Sequence, residues 1–121
     1  MKYIIDLIED VRESIGNSGE FLLTAMLLKE NVDNQEKLIY AGEASLNSYT
    51  IDKELKRVLF TIDTSATKVT IESLIPSLLI LNMDAMMYEL RMDVSSQYQN
   101  IEIIGFGKNT EEKKYILFIK I

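Results

Sequence analysis

The chain has 121 residues, of which 47% are hydrophobic and 26% are charged, a composition typical of one globular domain near the commonest domain size. Nineteen acidic residues against thirteen basic ones give a formal net charge of −6, which disfavours nucleic acid and anionic membrane surfaces as partners because both repel an acidic protein. The absence of histidine and cysteine excludes Ser-His-Asp and Cys-His catalysis, disulfides, and zinc, copper or haem sites built on those residues.

The N-terminal segment, MKYIIDLIED, does not read as a signal peptide. Acidic residues interrupt it, and it lacks a long apolar core followed by a small-residue cleavage site. We therefore expect a cytoplasmic protein, and the lack of cysteine suits a reducing compartment.

Residues 2–15 are predicted to form an amphipathic helix. Ile4, Ile8, Val11 and Ile15 recur at spacings of four, three and four, which places them on one stripe of a 3.6-residue helix. The glycines of GNSG (16–19) favour an end to the helix there. Four acids fall on the opposite side: Asp6, Glu9, Asp10 and Glu13. Clustered carboxylates can hold a divalent cation, but a solvated helix face explains them as well, and we predict no metal site.

Residues 20–46 are predicted to form a hairpin of two strands, 20–30 and 37–46, joined by the polar turn NVDNQE. A helical alternative stays open because Leu, Ala and Met favour helices and Asn17 with Glu20 could form a capping box. Gly42, between apolar residues, indicates a strand irregularity. A third strand is predicted over 57–63, where apolar and polar residues alternate.

The most apolar stretch, LIPSLLILNMDAMMYEL (74–90), is predicted to belong to a helix that extends to residue 94. Ser73 is a good N-cap, and this start places Pro76 in the first turn, where no intrahelical N–H is needed. Asn82 and Asp84 interrupt the apolar run, which is too short to span a bilayer. The predicted buried stripe consists of Leu79, Met83, Met86, Met87, Leu90 and Val94.

The chain closes with a second predicted hairpin, of strands 101–107 and 115–121 joined by KNTEEKK. The last strand is apolar on both faces, so we expect both faces to be covered. GFGKNT (105–110) faintly resembles a phosphate-binding loop. However, the spacing differs from that motif and a strand rather than a helix follows, so Gly105 and Gly107 indicate a bulge or a turn.

These elements predict one α+β domain, residues 1–121, in which an antiparallel sheet of about five strands has two helices packed on one face, in the order α-β-β-β-α-β-β. The element order, small size and acidity resemble those of type III secretion chaperones, and small immunity proteins share the size and the charge. Both resemblances imply a domain that binds another protein.

We therefore expect a non-enzymatic protein-binding domain without a cofactor, of the adaptor, chaperone or inhibitor type. An acidic surface would attract a basic partner, and a Met-rich surface would supply the apolar contact. Its candidate residues are Met83, Met86, Met87 and Met92. Because two helices would leave one sheet face uncovered, a homodimer is also expected if that face is apolar.

Two other functions remain open at this stage. One is a small-molecule binding domain, with a pocket between helix 74–94 and the sheet and with Tyr40, Tyr88 and Glu43 as its polar groups. The other is an enzyme that uses carboxylates and Mg²⁺, for which the sequence shows no cluster of acids away from a solvent-facing surface.

Overall fold

The computed structural model describes residues 1–15, 21–31, 34–46, 48–62 and 68–121, and the side chains of these residues apart from 30, 31, 34–41 and 43–45. The elements in chain order are α1 Ile4–Ser14, β1 Leu22–Asn31, β2 Asn34–Ser45, β3 Ser48–Asp52, β4 Arg57–Thr61, α2 Ile71–Leu79, a 3₁₀ helix Met83–Met87, β5 Glu89–Asp93, β6 Ile101–Asn109 and β7 Lys114–Lys120.

The N-terminal helix and both hairpins are confirmed, with small shifts of their ends. In the first hairpin, strands β1 and β2 pair antiparallel, so the helical alternative is wrong. The register shifts by one residue where Leu27 pairs with Gly42 but Leu28 pairs with Tyr40, which confirms the irregularity. The predicted GNSG helix end and the capping box of Asn17 and Glu20 lie outside the described residues.

The predicted helix over 74–94 is confirmed only over residues 74–79, and its continuation to residue 94 is wrong. Helix α2 begins earlier, because the Thr70 hydroxyl caps it by accepting from the Ser73 N–H at 3.2 Å, and it ends at Leu79. Pro76 lacks the N–H that would bond one turn back, and the helix continues for three residues beyond it. Residues 89–93 form a strand instead, in which Leu90 and Met92 face the core alternately with polar residues.

Strand β3 was not predicted. It is a five-residue edge strand, and it reaches β4 through a turn in which the Asp52 carboxylate accepts from the N–H groups of Glu54 and Leu55 at 3.0 and 2.9 Å. Lys56 closes the turn with a φ of 54°. The sequence of β3, SYTID, alternates polar and apolar residues, and Tyr49 and Ile51 pack against the core, so a sequence signal for this strand was present but was missed.

The seven strands form one mixed sheet in the order β2-β1-β7-β6-β5-β4-β3, not an antiparallel sheet of about five strands. Two neighbouring pairs, β1–β7 and β4–β5, are parallel, and the other pairs are antiparallel. The parallel pairing of β4 and β5 requires a crossover connection, which α2 and the 3₁₀ helix provide.

The sheet is strongly curved, as the link between its two edges shows. The edge strands β2 and β3 are joined by residues 46 and 47 alone. Neighbouring strands lie about 4.8 Å apart, so the two outermost strands of a flat seven-stranded sheet would be about 29 Å apart. The link between β2 and β3 spans at most about 11 Å even when fully extended. The two edges must therefore approach each other at this point.

A ring of three backbone hydrogen bonds lies beside this link. Leu46 N–H donates to Leu23 O at 3.1 Å, Val69 N–H to Leu46 O at 3.0 Å, and Leu23 N–H to Val69 O at 2.9 Å. The three side chains are buried. The ring joins the end of β2, strand β1 and the segment that leads into α2.

Strands β5 and β6 pair only at Arg91 with Glu102 and at Met92 with Ile101. The N-terminal segment pairs with the beginning of β5 instead. Leu90 N–H donates to Lys2 O at 2.8 Å, and Ile4 N–H donates to Tyr88 O at 3.0 Å. These bonds fix the start of α1 beside the end of the 3₁₀ helix.

Both helices pack on the same face of the sheet, here called the inner face, as predicted. The core contains Ile4, Leu7, Ile8 and Val11 of α1, Ile71, Leu74 and Leu78 of α2, and inward residues of β1, β4, β5, β6 and β7, among them Leu23, Phe60, Met92, Ile103, Tyr115 and Leu117. Burying each large apolar side chain contributes roughly 1.5–3 kcal/mol. A single core thus joins both helices to most of the sheet.

The opposite, outer face of the sheet has an apolar part around β7. Ile116 is buried there and Phe118 is partly buried, while Tyr115, Leu117 and Ile119 point inward, so both faces of β7 are largely covered as expected. Phe118 lies against Gly107 of β6, where an added Cβ would be 2.7 Å from Phe118 Cε2. The register of β6 also shifts between Ile103 and Gly105, which confirms the predicted bulge.

Candidate functional site

The segment between α2 and β5 folds as a tight, irregular connection. Ile80 N–H donates to Pro76 O at 3.3 Å, and Leu81 N–H donates to Leu78 O at 3.2 Å. Ala85 N–H then donates to Asn82 O, and Tyr88 N–H to Ala85 O, both at 2.9 Å. Because the last three of these bonds span only three residues, the chain turns more tightly than an α-helix, and the side chains of this segment do not follow a 3.6-residue stripe.

The connection presents large apolar side chains to solvent. Ala85 is buried and anchors the 3₁₀ helix, and Leu81, Met86 and Tyr88 pack partly against the core. Four side chains point away from it: Leu79, Ile80, Met83 and Met87, which are 56%, 84%, 89% and 60% exposed. These four residues are called the 79–87 surface below.

The β3–β4 turn adjoins this surface. Lys56 O accepts from the Glu89 N–H at 3.1 Å, which holds the turn against the beginning of β5. Leu55, at the tip of the turn, is 59% exposed. Lys53 of the same turn lines a cavity together with Ile80. The turn therefore adds a fifth exposed apolar side chain close to the 79–87 surface.

The cavity between the turn and the connection has a volume of about 210 Å³. It is lined by Lys53, Ile80, Leu81, Asn82, Asp84, Ala85 and Tyr88. Small-molecule sites are typically roughly 300–1,000 Å³, so this cavity is small for a complete ligand. It is close to the size of one large side chain.

The structure separates the four methionines predicted to bind a partner. Met83 and Met87 belong to the exposed surface, and Met86 is partly buried against the core. Met92 is fully buried on β5, since it points inward between β4 and β6, and it cannot line an exposed surface. Leu55, Leu79 and Ile80 were missed as surface residues; an isolated leucine in the polar stretch DKELKR was the available signal for Leu55.

The predicted pocket between a helix 74–94 and the sheet does not match this arrangement. Leu74, Leu78 and Met92 are fully buried in one core with the sheet residues. Of the three predicted polar groups, Tyr88 lines the small cavity, whereas the side chains of Tyr40 and Glu43 lie outside the described residues.

The acids of α1 are partly engaged in the fold itself. Asp6 Oδ2 accepts from the Tyr3 N–H at 2.8 Å, and Asp10 Oδ2 accepts from the Tyr115 hydroxyl at 2.5 Å. Glu9 and Glu13 are exposed or nearly so, and they line a shallow depression with Lys2 and Phe106. In the described part of the chain, no three acidic side chains are grouped so that they could hold a metal ion.

Charged side chains on the outer face of β4 and β5 bind to Asn100, in the β5–β6 connection. The Arg91 guanidinium donates to Asn100 O at 2.7 and 2.9 Å, and Arg57 donates to the Asn100 side-chain oxygen at 2.9 Å. Asn100 N–H donates to Asp93 Oδ1 at 2.7 Å. This network holds the β5–β6 connection in place, so we assign these charged groups a structural role.

Comparison with protein families, with curated proteins and with solved structures finds no match to this chain. Among the described residues, no helix is both long enough and apolar enough to cross a membrane.

Proposed function

We propose that this chain is a non-enzymatic protein-binding domain of the adaptor, chaperone or inhibitor type, and that it contacts its partner through the 79–87 surface. The observation that carries the proposal is the exposure of Ile80 and Met83, at 84% and 89%, within one short connection. Large apolar side chains grouped in this way are uncommon on monomer surfaces and are typical of binding sites. Methionine suits such a site because its flexible side chain adapts to a partner.

The distribution of charge supports a basic partner. The chain carries a net charge of −6, and the exposed acids Glu9 and Glu13 lie on α1, whose first residue bonds to Tyr88 at the end of the 3₁₀ helix. An acidic helix next to an apolar contact surface would accelerate the encounter with a basic protein. At physiological ionic strength, salt would screen this attraction beyond a separation of about 8–10 Å.

The size of the cavity favours protein binding over small-molecule binding. At about 210 Å³ it lies below the range of ordinary ligand sites, and it opens among exposed apolar side chains. A site of this kind fits an anchoring side chain within a larger interface.

The proposal is tested by affinity capture from source-cell lysate with the wild-type chain and with the double variant Met83→Ser, Met87→Ser. The wild type should retain one stoichiometric partner, with more retained at low than at moderate salt, and the double variant should lose it. Ile104→Ser is the matched control, because Ile104 is an exposed apolar residue on β6, outside the 79–87 surface. If Ile104→Ser loses the partner and the double variant keeps it, the contact lies on the surface around Ile104 and not on the 79–87 surface.

Self-association through a different surface is the second candidate, and the observation that favours it is the apolar part of the outer face around Ile104 and Phe118. Light scattering at micromolar concentration tests for it. A monomer mass supports a separate partner, whereas a dimer mass that Ile104→Ser reduces to that of a monomer would assign the outer face to self-association.

A further inference from the structure

We propose that the cavity between the β3–β4 turn and the α2–β5 connection binds one tyrosine or tryptophan side chain of the partner protein. This inference rests on the proposed function, and it specifies the residue that anchors the contact. The cavity is formed by the pieces of chain that carry Lys53 and residues 80–88.

The position of the cavity places an anchored residue within the proposed contact. Ile80 both lines the cavity and belongs to the 79–87 surface, and the lining residues Asn82 and Asp84 flank the exposed Met83 in the chain. Binding energy at protein interfaces concentrates where one large side chain enters a pocket surrounded by other contacts. A side chain in this cavity would contact Ile80 and lie next to the segment of chain that carries Met83.

The charges at the cavity do not select a charged occupant. Lys53 and Asp84 both line it, so a charged side chain of either sign meets one group of like charge and one of opposite charge. Attraction and repulsion then largely offset each other, while the occupant still loses water on entering, which costs free energy. A neutral side chain avoids this cost.

The mixture of apolar and polar lining residues selects among neutral side chains. Ile80, Leu81 and Ala85 provide apolar contact, while Asn82 and Tyr88 provide hydrogen-bonding groups. A purely aliphatic occupant would cover those groups without bonding to them, which costs free energy. Tyrosine and tryptophan combine a large apolar body with one polar atom, and both are enriched among anchoring interface residues.

The test uses capped amino acids as probes in an NMR titration of the ¹⁵N-labelled full chain. N-acetyl-tyrosinamide and N-acetyl-tryptophanamide should shift the amide signals of Lys53, Leu81, Asn82 and Ala85 in a saturable way, with dissociation constants in the millimolar range expected for such small probes. N-acetyl-leucinamide and N-acetyl-lysinamide should bind at least fivefold more weakly. Equal shifts with all four probes, or shifts that map elsewhere, would overturn the inference.

Two variants separate this inference from the proposed function. Asn82→Phe places a large side chain at the cavity from an exposed position and should weaken binding of the aromatic probes at least tenfold. Tyr98→Ser, which changes an exposed residue of the β5–β6 connection outside both the lining and the 79–87 surface, should leave probe binding within twofold of wild type. If the double variant Met83→Ser, Met87→Ser abolishes partner capture but the probes do not bind in the cavity, the proposed function is supported and the proposed aromatic anchor site is refuted. If the probes bind as expected but the double variant keeps the partner, the anchor site stands and the 79–87 contact is refuted.

Discussion

The hydroxyl of Tyr115, on the interior strand β7 of the sheet, donates a hydrogen bond of 2.5 Å to Asp10 Oδ2 on α1. The Tyr115 side chain is fully buried, whereas Asp10 is partly buried near the solvent-facing side of the helix. Burial, and then the hydrogen bond to Asp10, raise the pKa of Tyr115 far above its ordinary value. This bond connects the acidic helix to the centre of the core.

Tyr115→Phe should lower the free energy of unfolding at pH 7 by about 1.5 kcal/mol, since a hydrogen bond to a charged group is lost but water can still reach Asp10. The wild type should also lose stability above pH 10, because the unfolded chain releases the Tyr115 proton there while the folded chain retains it. For one such group, the free energy of unfolding falls by at most about 1.4 kcal/mol per pH unit.

Urea unfolding followed by circular dichroism between pH 7 and pH 11 measures both effects. The Tyr115→Phe variant should show a shallower decline above pH 10 than the wild type. Asp10→Asn is a suitable control, because it keeps an acceptor oxygen and removes the charge. An equal decline in the wild type and the Tyr115→Phe variant would contradict the assignment of the stability loss above pH 10 to Tyr115.

The methionines should divide into two classes in stability measurements. Met83→Ser and Met87→Ser should change the free energy of unfolding by less than about 0.5 kcal/mol, because both side chains are exposed. Met92→Ala should lower it by about 2–5 kcal/mol, because it leaves a cavity in the core. Chemical denaturation of the three variants measures this contrast, and a large loss for Met83→Ser would show that the 79–87 surface is part of the fold's packing.

The contact between Phe118 and Gly107 predicts a coupling between two substitutions. Gly107→Ala should cost about 1 kcal/mol, because the new Cβ would lie 2.7 Å from Phe118 Cε2 and must displace the ring. In a Phe118→Ala background the same change should be neutral or stabilising, since alanine restricts the unfolded chain more than glycine does. A double-mutant cycle measures the coupling, and equal effects of Gly107→Ala in both backgrounds would exclude it.

The carboxylate of Glu102 pairs with the amino group of Met1 at 2.6 Å. The hydrogen bond from this amine lowers the pKa of Glu102, and the charges of the amine and of Arg91 act in the same direction. A lowered pKa in the folded state stabilises the protein above the unfolded-state value of 4.5, and this stabilisation is lost as the pH falls through the folded value.

Glu102→Gln should therefore destabilise the protein at pH 7 by at most about 1 kcal/mol, as expected of an exposed ion pair. Unfolding of the wild type and the variant between pH 3 and pH 7 measures the difference, which should shrink below pH 4.5 and in high salt. A difference that stays constant with pH would attribute the effect of the substitution to packing.

Sequence periodicity determined the elements whose pattern is local and unambiguous. The stripe of Ile4, Ile8 and Val11 defined α1, because a surface helix must turn one apolar side toward the core. The two hairpins followed from apolar runs separated by polar turns, and the last strand was recognised as covered on both faces. The α+β class and the placement of both helices on one sheet face followed from these elements.

The tertiary structure decided the features that depend on distant neighbours. Leu90 fits a helical stripe in the sequence and Met92 was predicted to bind a partner, but both lie in a strand because the space between β4 and β6 accepts alternate side chains on its inner face. No local sequence pattern predicts the parallel pairs β1–β7 and β4–β5, because the paired strands lie far apart in the chain. The curvature of the sheet depends on the short link between its two edge strands, β2 and β3. The exposure of Ile80 and Met83 was also decided by the tertiary structure. An apolar residue is buried only where the fold packs other atoms against it, and the crossover between β4 and β5 leaves these two side chains uncovered.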